Sequence, residues 1–94
     1  MEQNVTDEIP RKIRSRFELA ARGWVERWLE AGHMRISASD LQIVREFLEL
    51  AGMKVEDVPG LRVRLVNRQG RSQEVTREAA AMMALRRLAD EPER

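Results

Sequence analysis

The spacing of apolar residues changes period twice along this chain, and this limits the folds open to it. Ile13, Phe17, Ala20, Ala21, Trp24, Val25 and Trp28 follow at steps of one, three and four, which puts them on one side of a helix. Leu41, Val44, Phe47, Leu48 and Ala51 repeat the pattern. The period then falls to two: Leu61, Val63 and Leu65 alternate with Arg62 and Arg64, as in a strand with one covered face. It returns to helical spacing through Ala79, Ala80, Met82, Met83, Leu85 and Leu88. The expected fold is mostly α with a small β-hairpin (α+β). A helical hairpin spans residues 8–52, a basic two-stranded ribbon residues 61–75, and a C-terminal helix residues 76–90. With 94 residues, these elements form one small domain behind a disordered lead-in at residues 1–7.

Punctuation residues set the boundaries. Thr6 or Asp7 can cap the first helix, and Pro10 then falls in its first turn. Gly23 interrupts that helix, and Gly32 suits its end. Ser37, with Asp40 three positions on, marks the start of the second helix, and Gly52 marks its end. Residues 32–36 are too short a link for anything but an antiparallel or crossed hairpin. Val55 to Pro59-Gly60 reads as a turn-rich connection. Asn67-Arg68-Gln69-Gly70 reads as the turn of the ribbon, with residues 72–75 as its return strand. Thr76 can cap the last helix, with Glu78 in its first turn. Residues 90–94 read as a frayed tail.

Catalysis has little to work with. Cysteine is absent, which removes disulfides and thiolate metal sites. His33 is the lone histidine and falls in a loop, where solvation is its ordinary fate. The five glycines stand singly, so no phosphate-cradling loop exists. Asp40 with Glu46 or Glu49 fits helix-dipole and surface roles better than a tuned acid–base pair. The expectation is a protein that is not an enzyme and holds no cofactor or metal. The N-terminus lacks the basic-then-apolar order of a signal peptide. No apolar run reaches membrane-spanning length. A cytoplasmic location without membrane contact is expected.

Charge is the more informative signal. The formal net charge is only +1, so a polyanion-binding surface requires charges to be segregated. Two acid-free basic stretches exist. Arg11, Lys12, Arg14 and Arg16 surround the start of the first apolar stripe. Arg62, Arg64, Arg68 and Arg71 lie within residues 58–73, which contain no acid. An arginine-lined ribbon can follow a phosphate backbone or enter a groove. The same arginines also suit a solvated sheet face that discourages edge pairing. The aromatics, Phe17, Trp24, Trp28 and Phe47, sit at helical spacing and read as core or subunit interface rather than as base-stacking platforms.

The last helix is apolar nearly all round, and helix two carries Ile43 and Leu50 beyond its main stripe. Such two-faced helices suggest self-association. Ile43, Leu50, Met82, Met83 and Leu85 are the candidate interface of a homo-oligomer.

The segment LEAGHMRISASDLQIVREFLELAGM, residues 29–53, resembles small terminase subunits of tailed phages. These have a helix, a short loop and a helix reading S/A-x-D-L-x-x-V/I-x-x-F/L-L before a glycine or asparagine turn. Ala38, Asp40, Leu41, Val44, Phe47, Leu48 and Gly52 match, and the preceding stripe from Phe17 to Leu29 fits as well. The resemblance covers roughly residues 17–53; the ribbon and the last helix lie outside it. It implies a ring-forming, non-enzymatic regulator of viral DNA packaging, in the cytoplasm of a host cell. Such a protein binds double-stranded DNA and a large terminase subunit, which holds the ATPase and nuclease. The basic residues would contact phosphate and the two-faced helices would meet in the ring. The residues themselves leave a second class open: a small phage-type inhibitor or adaptor, of the anti-defence kind, that binds another protein. A transcriptional regulator fits less well, because no clear recognition helix follows residues 8–52 at helix-turn-helix spacing.

Overall fold

The computed structural model describes residues 10–90. The elements are α1 (Arg11–Ala31), α2 (Ala38–Leu50), β1 (Lys54–Asp57), β2 (Arg62–Val66), β3 (Ser72–Thr76) and α3 (Arg77–Asp90). The fold is α+β in the expected order, with one added strand. Residues 54–57 are not a plain connection but the edge of a three-stranded antiparallel sheet ordered β1-β2-β3. Val55 alone among them is apolar and buried, so no alternation betrayed the strand. Arg45 of α2 helps to hold it. Its guanidinium donates to the Val55 carbonyl and pairs with Asp57 at 2.8 Å.

Two boundaries differ from expectation. Pro10 precedes α1 instead of lying in its first turn. Its ψ of 140° is extended, and its carbonyl accepts the first helical bond from Arg14 N. The proposed caps Thr6 and Asp7, the lead-in 1–7 and all of the expected tail 90–94 except Asp90, which ends α3, lie outside the described residues. Leu61 stands before β2 and is 70% exposed. It sits in the tight link between β1 and β2, and its carbonyl accepts from Arg77 N.

The caps of α2 follow from local chemistry. Ser37 Oγ accepts from Asp40 N at 3.1 Å, and Asp40 Oδ2 accepts from Ser37 N at 3.5 Å, a reciprocal capping box. At the other end Gly52 adopts φ 94°. Gly52 N and Met53 N then bond back to Glu49 O and Leu48 O, as the left-handed helix ending requires. Ser37→Ala is expected to cost about 1 kcal/mol. The melting temperature should fall by roughly 4–8 °C, read by circular dichroism.

The core lies between α2, α3 and one sheet face, with α1 packed on α2. Phe17 stacks on Phe47 with centroids 4.3 Å apart and meets Trp24 edge-on at 5.5 Å. Val55, Val63 and Leu65 cover the inner side of the sheet. Ala80, Ala81 and Ala84 are fully buried; having little side chain, they let the α3 backbone come close to its neighbours. The apolar wrap of α3 is therefore largely spent inside its own chain. Met83, Leu85 and Ile43 pack at the margin of the core, while Leu50 and Met82 stay exposed. Three of the four aromatics are buried as expected. Trp28 is 51% exposed, because α1 runs past the core at its C-terminal end.

Candidate nucleic-acid interface

The outer face of the sheet carries Arg62 and Arg64, but not as free cations. The register sets Glu56 opposite Arg64 on one side and Glu74 opposite it on the other. Arg64 pairs with Glu56 at 3.5 Å and with Glu74 at 3.2 Å. Arg62 Nη2 donates to the Glu74 carbonyl at 3.3 Å, and its Nε lies 3.9 Å from the Glu74 carboxylate. The arginines of the acid-free run 58–73 are thus balanced in space, Arg62 and Arg64 against Glu56 and Glu74. Exposed pairs of this kind add about 0–1 kcal/mol each. Their main effect is to cancel the field that a phosphate would feel.

The α1 cluster divides in the same way. Arg14 pairs with Glu18 at 3.3 Å and Arg16 with Glu46 at 2.7 Å. Arg11 and Lys12 are exposed and have no ion-pair partner among the described residues.

The β2–β3 turn keeps its charge. Asn67 Oδ1 accepts from Gln69 N at 2.9 Å and from Arg71 N at 3.0 Å, and Gly70 takes φ 86°. The loop is thereby fixed with Arg68 and Arg71 outward, both exposed and without a carboxylate partner among the described residues. Arg68 lies over Gly52: a Cβ built there would come within 2.4 Å of Arg68 Nε. Glycine thus leaves room for the guanidinium beside the C-terminal, negative end of α2. Gly52→Ala should therefore cost about 1 kcal/mol through its positive φ and also dislodge Arg68. Urea unfolding of the variant reads the first effect.

The turn has neighbours that sequence order hides. Lys54 starts β1 opposite Val66, beside the turn. Arg86 lines a cleft of about 280 Å³ with Leu48, Ala51, Met53, Met83, Arg87 and Asp90. The antiparallel packing of α1 on α2, fixed by Phe17–Phe47 and Arg16–Glu46, brings Arg11 and Lys12 to this same end of α2. Arg11, Lys12, Lys54, Arg68, Arg71 and Arg86 therefore gather where α2 ends, together with the acids Glu49 and Asp90. Of the eight cations expected to bind nucleic acid, four (Arg14, Arg16, Arg62 and Arg64) are ion-paired. Lys54 and Arg86 were not expected. Lys54 is isolated in sequence, and Arg86 in the latter part of α3 reads as an ordinary complement to the helix dipole.

His33 is exposed, with Nδ1 3.2 Å from the Ala31 carbonyl oxygen. No group of three or more metal-ligating side chains occurs among the described residues. No helix among them is long and apolar enough to cross a membrane. Scans of family models, curated proteins and solved structures return no match to this chain. What the cationic end does must be read from its geometry.

Proposed function

We propose that this protein is a non-enzymatic DNA-binding module that contacts the phosphate backbone through the end of the molecule where α2 stops. One observation carries the reading. Six cations from α1, β1, the β2–β3 turn and α3 lie toward that end without carboxylate partners among the described residues, while Arg14, Arg16, Arg62 and Arg64 are matched by acids. Phosphate contacts of this kind position a protein on the duplex and do not read its sequence. The role in viral DNA packaging, with a large terminase subunit as partner, is what the resemblance over residues 17–53 adds. It is carried by Asp40, Leu41, Val44, Phe47 and Leu48, which serve here as cap and core.

A labelled duplex followed by fluorescence anisotropy tests the contact. Arg68→Ala with Arg71→Ala should weaken binding by about one to two orders of magnitude near 0.1 M salt. Arg62→Ala with Arg64→Ala should change it little, because those guanidiniums are already engaged. The reverse ranking would move the interface to the sheet face.

The cleft supports a second reading. Its lining is mostly apolar, from Leu48, Ala51, Met53 and Met83, with Arg86, Arg87 and Asp90 as its charged members. An adaptor that grips an acidic, apolar-tipped segment of another protein would use such a cleft. A protein that ignores duplex DNA at low salt would favour that reading.

A further inference from the structure

The outer side of α1 carries a pattern that its own chain does not use. Leu19, Arg22, Glu26 and Leu29 follow at steps of three, four and three, the spacing of a helix–helix seam. They lie opposite Phe17, Ala21 and Trp24, which α1 turns into the core. Leu19 and Leu29 are 70% and 77% exposed. Arg22 and Glu26 are exposed and have no ion-pair partner among the described residues. Beside the seam stands Gly23, in mid-helix. Nothing lies within 4 Å of a Cβ built on it, so no crowding within the chain calls for glycine there, although it costs roughly 0.5–1 kcal/mol relative to alanine. A glycine at that place lets a second helix approach closely.

We propose that a second copy of this chain covers this face, α1 against α1 in antiparallel sense about a two-fold axis near residue 24. The order of residues selects both occupant and direction. In the antiparallel pair Leu19 meets Leu29 of the second copy, and Arg22 meets Glu26 of the second copy, each twice by symmetry. A parallel pair would set Arg22 on Arg22 and Glu26 on Glu26, which repel. Val25 flanks the seam and extends the covered apolar area. The contact is isologous and closes on itself, so through this surface the protein forms dimers and not rings. It is separate from Leu50, Met82 and the cleft, and it does not depend on DNA binding.

Charge swaps test the pairing on the full chain, with mass read by sedimentation equilibrium and folding by circular dichroism. Wild type should dimerise reversibly. Arg22→Glu alone and Glu26→Arg alone should each weaken the dimer at least about tenfold, since each leaves like charges in both polar layers. An equimolar mixture of the two variants should restore it as a heterodimer, and so should Arg22→Glu combined with Glu26→Arg in one chain. Both sites are exposed, so all variants should fold. A wild type that stays monomeric overturns the proposal. So does a dimer that survives either single swap, or a mixture that remains monomeric. An assembly lost on Met82→Asp but indifferent to the swaps would place self-association on α3 and contradict it equally.

Discussion

Phe47→Ala is expected to cost about 3–5 kcal/mol, out of a total stability of roughly 5–14 kcal/mol for a domain of this length. Phe47 has no exposed surface and forms the α2 half of the stacked pair with Phe17 at 4.3 Å. Truncation leaves a cavity between the two helices, where close packing cannot simply collapse. The loss falls on one contact surface, because α1 is anchored through its packing on α2. Phe17 and Trp24 therefore lose their main support together. Urea unfolding should show a midpoint shifted to much lower denaturant, with a partly molten population near room temperature. Trp28→Ala is the control. With half its surface in water, it should cost well under half as much. Equal losses at Phe47 and Trp28 would mean that α1 does not pack as described.

The second large effect concerns binding. Each phosphate contact releases condensed counterions, which adds about −0.9 to the slope of log K against log salt for duplex DNA. At salt near 0.1 M, one such contact is worth just under tenfold in affinity. Replacing Lys54, Arg68, Arg71 and Arg86 together with alanine should thus reduce duplex affinity by about 10³–10⁴-fold and flatten the slope by about 3.6. The fold should tolerate the change. All four side chains are exposed, and none has a carboxylate partner among the described residues. Circular dichroism and the urea midpoint separate loss of contact from loss of structure.

Elements whose signal is local were legible in the sequence. Ser37 and Asp40 announced the start of α2, Asn67 to Gly70 the turn, and Thr76 the cap of α3, where Thr76 Oγ1 accepts from Ala79 N at 3.1 Å. Each involves groups within a few residues, so spacing alone reveals it. What depends on register was hidden. Arg64 meets Glu56 and Glu74, eight and ten residues away on two different strands. One of those strands has a single buried apolar residue and showed no period. The charge balance of the sheet face follows only once that pairing exists.

The same limit applied to α3. A run of alanine and methionine reads as apolar all round, and the bulkier methionines looked like the contact-makers. Within the chain, packing favoured the alanines. The small Ala80, Ala81 and Ala84 face the core at close approach, and Met82 is left 48% exposed. The cationic end was half legible. Arg68 and Arg71 stood out as part of an acid-free run. Lys54 and Arg86 join them only because the chain reverses between α2 and β1, and α3 returns to the same end. The seam on α1 had the opposite difficulty. Leu19 and Leu29 fit the helical pattern without belonging to its main stripe, and only the placement of α2 shows which side of α1 is left bare.

The most direct test of the central claim is the affinity of the wild-type protein for a duplex of mixed sequence, measured between about 50 mM and about 200 mM salt. Six phosphate contacts at the end of α2 predict a log–log slope as steep as about −5, reduced to about −2 when Lys54, Arg68, Arg71 and Arg86 are alanine. Absence of binding at the lowest salt would contradict DNA binding through this end of the molecule. So would a slope that the four substitutions leave unchanged.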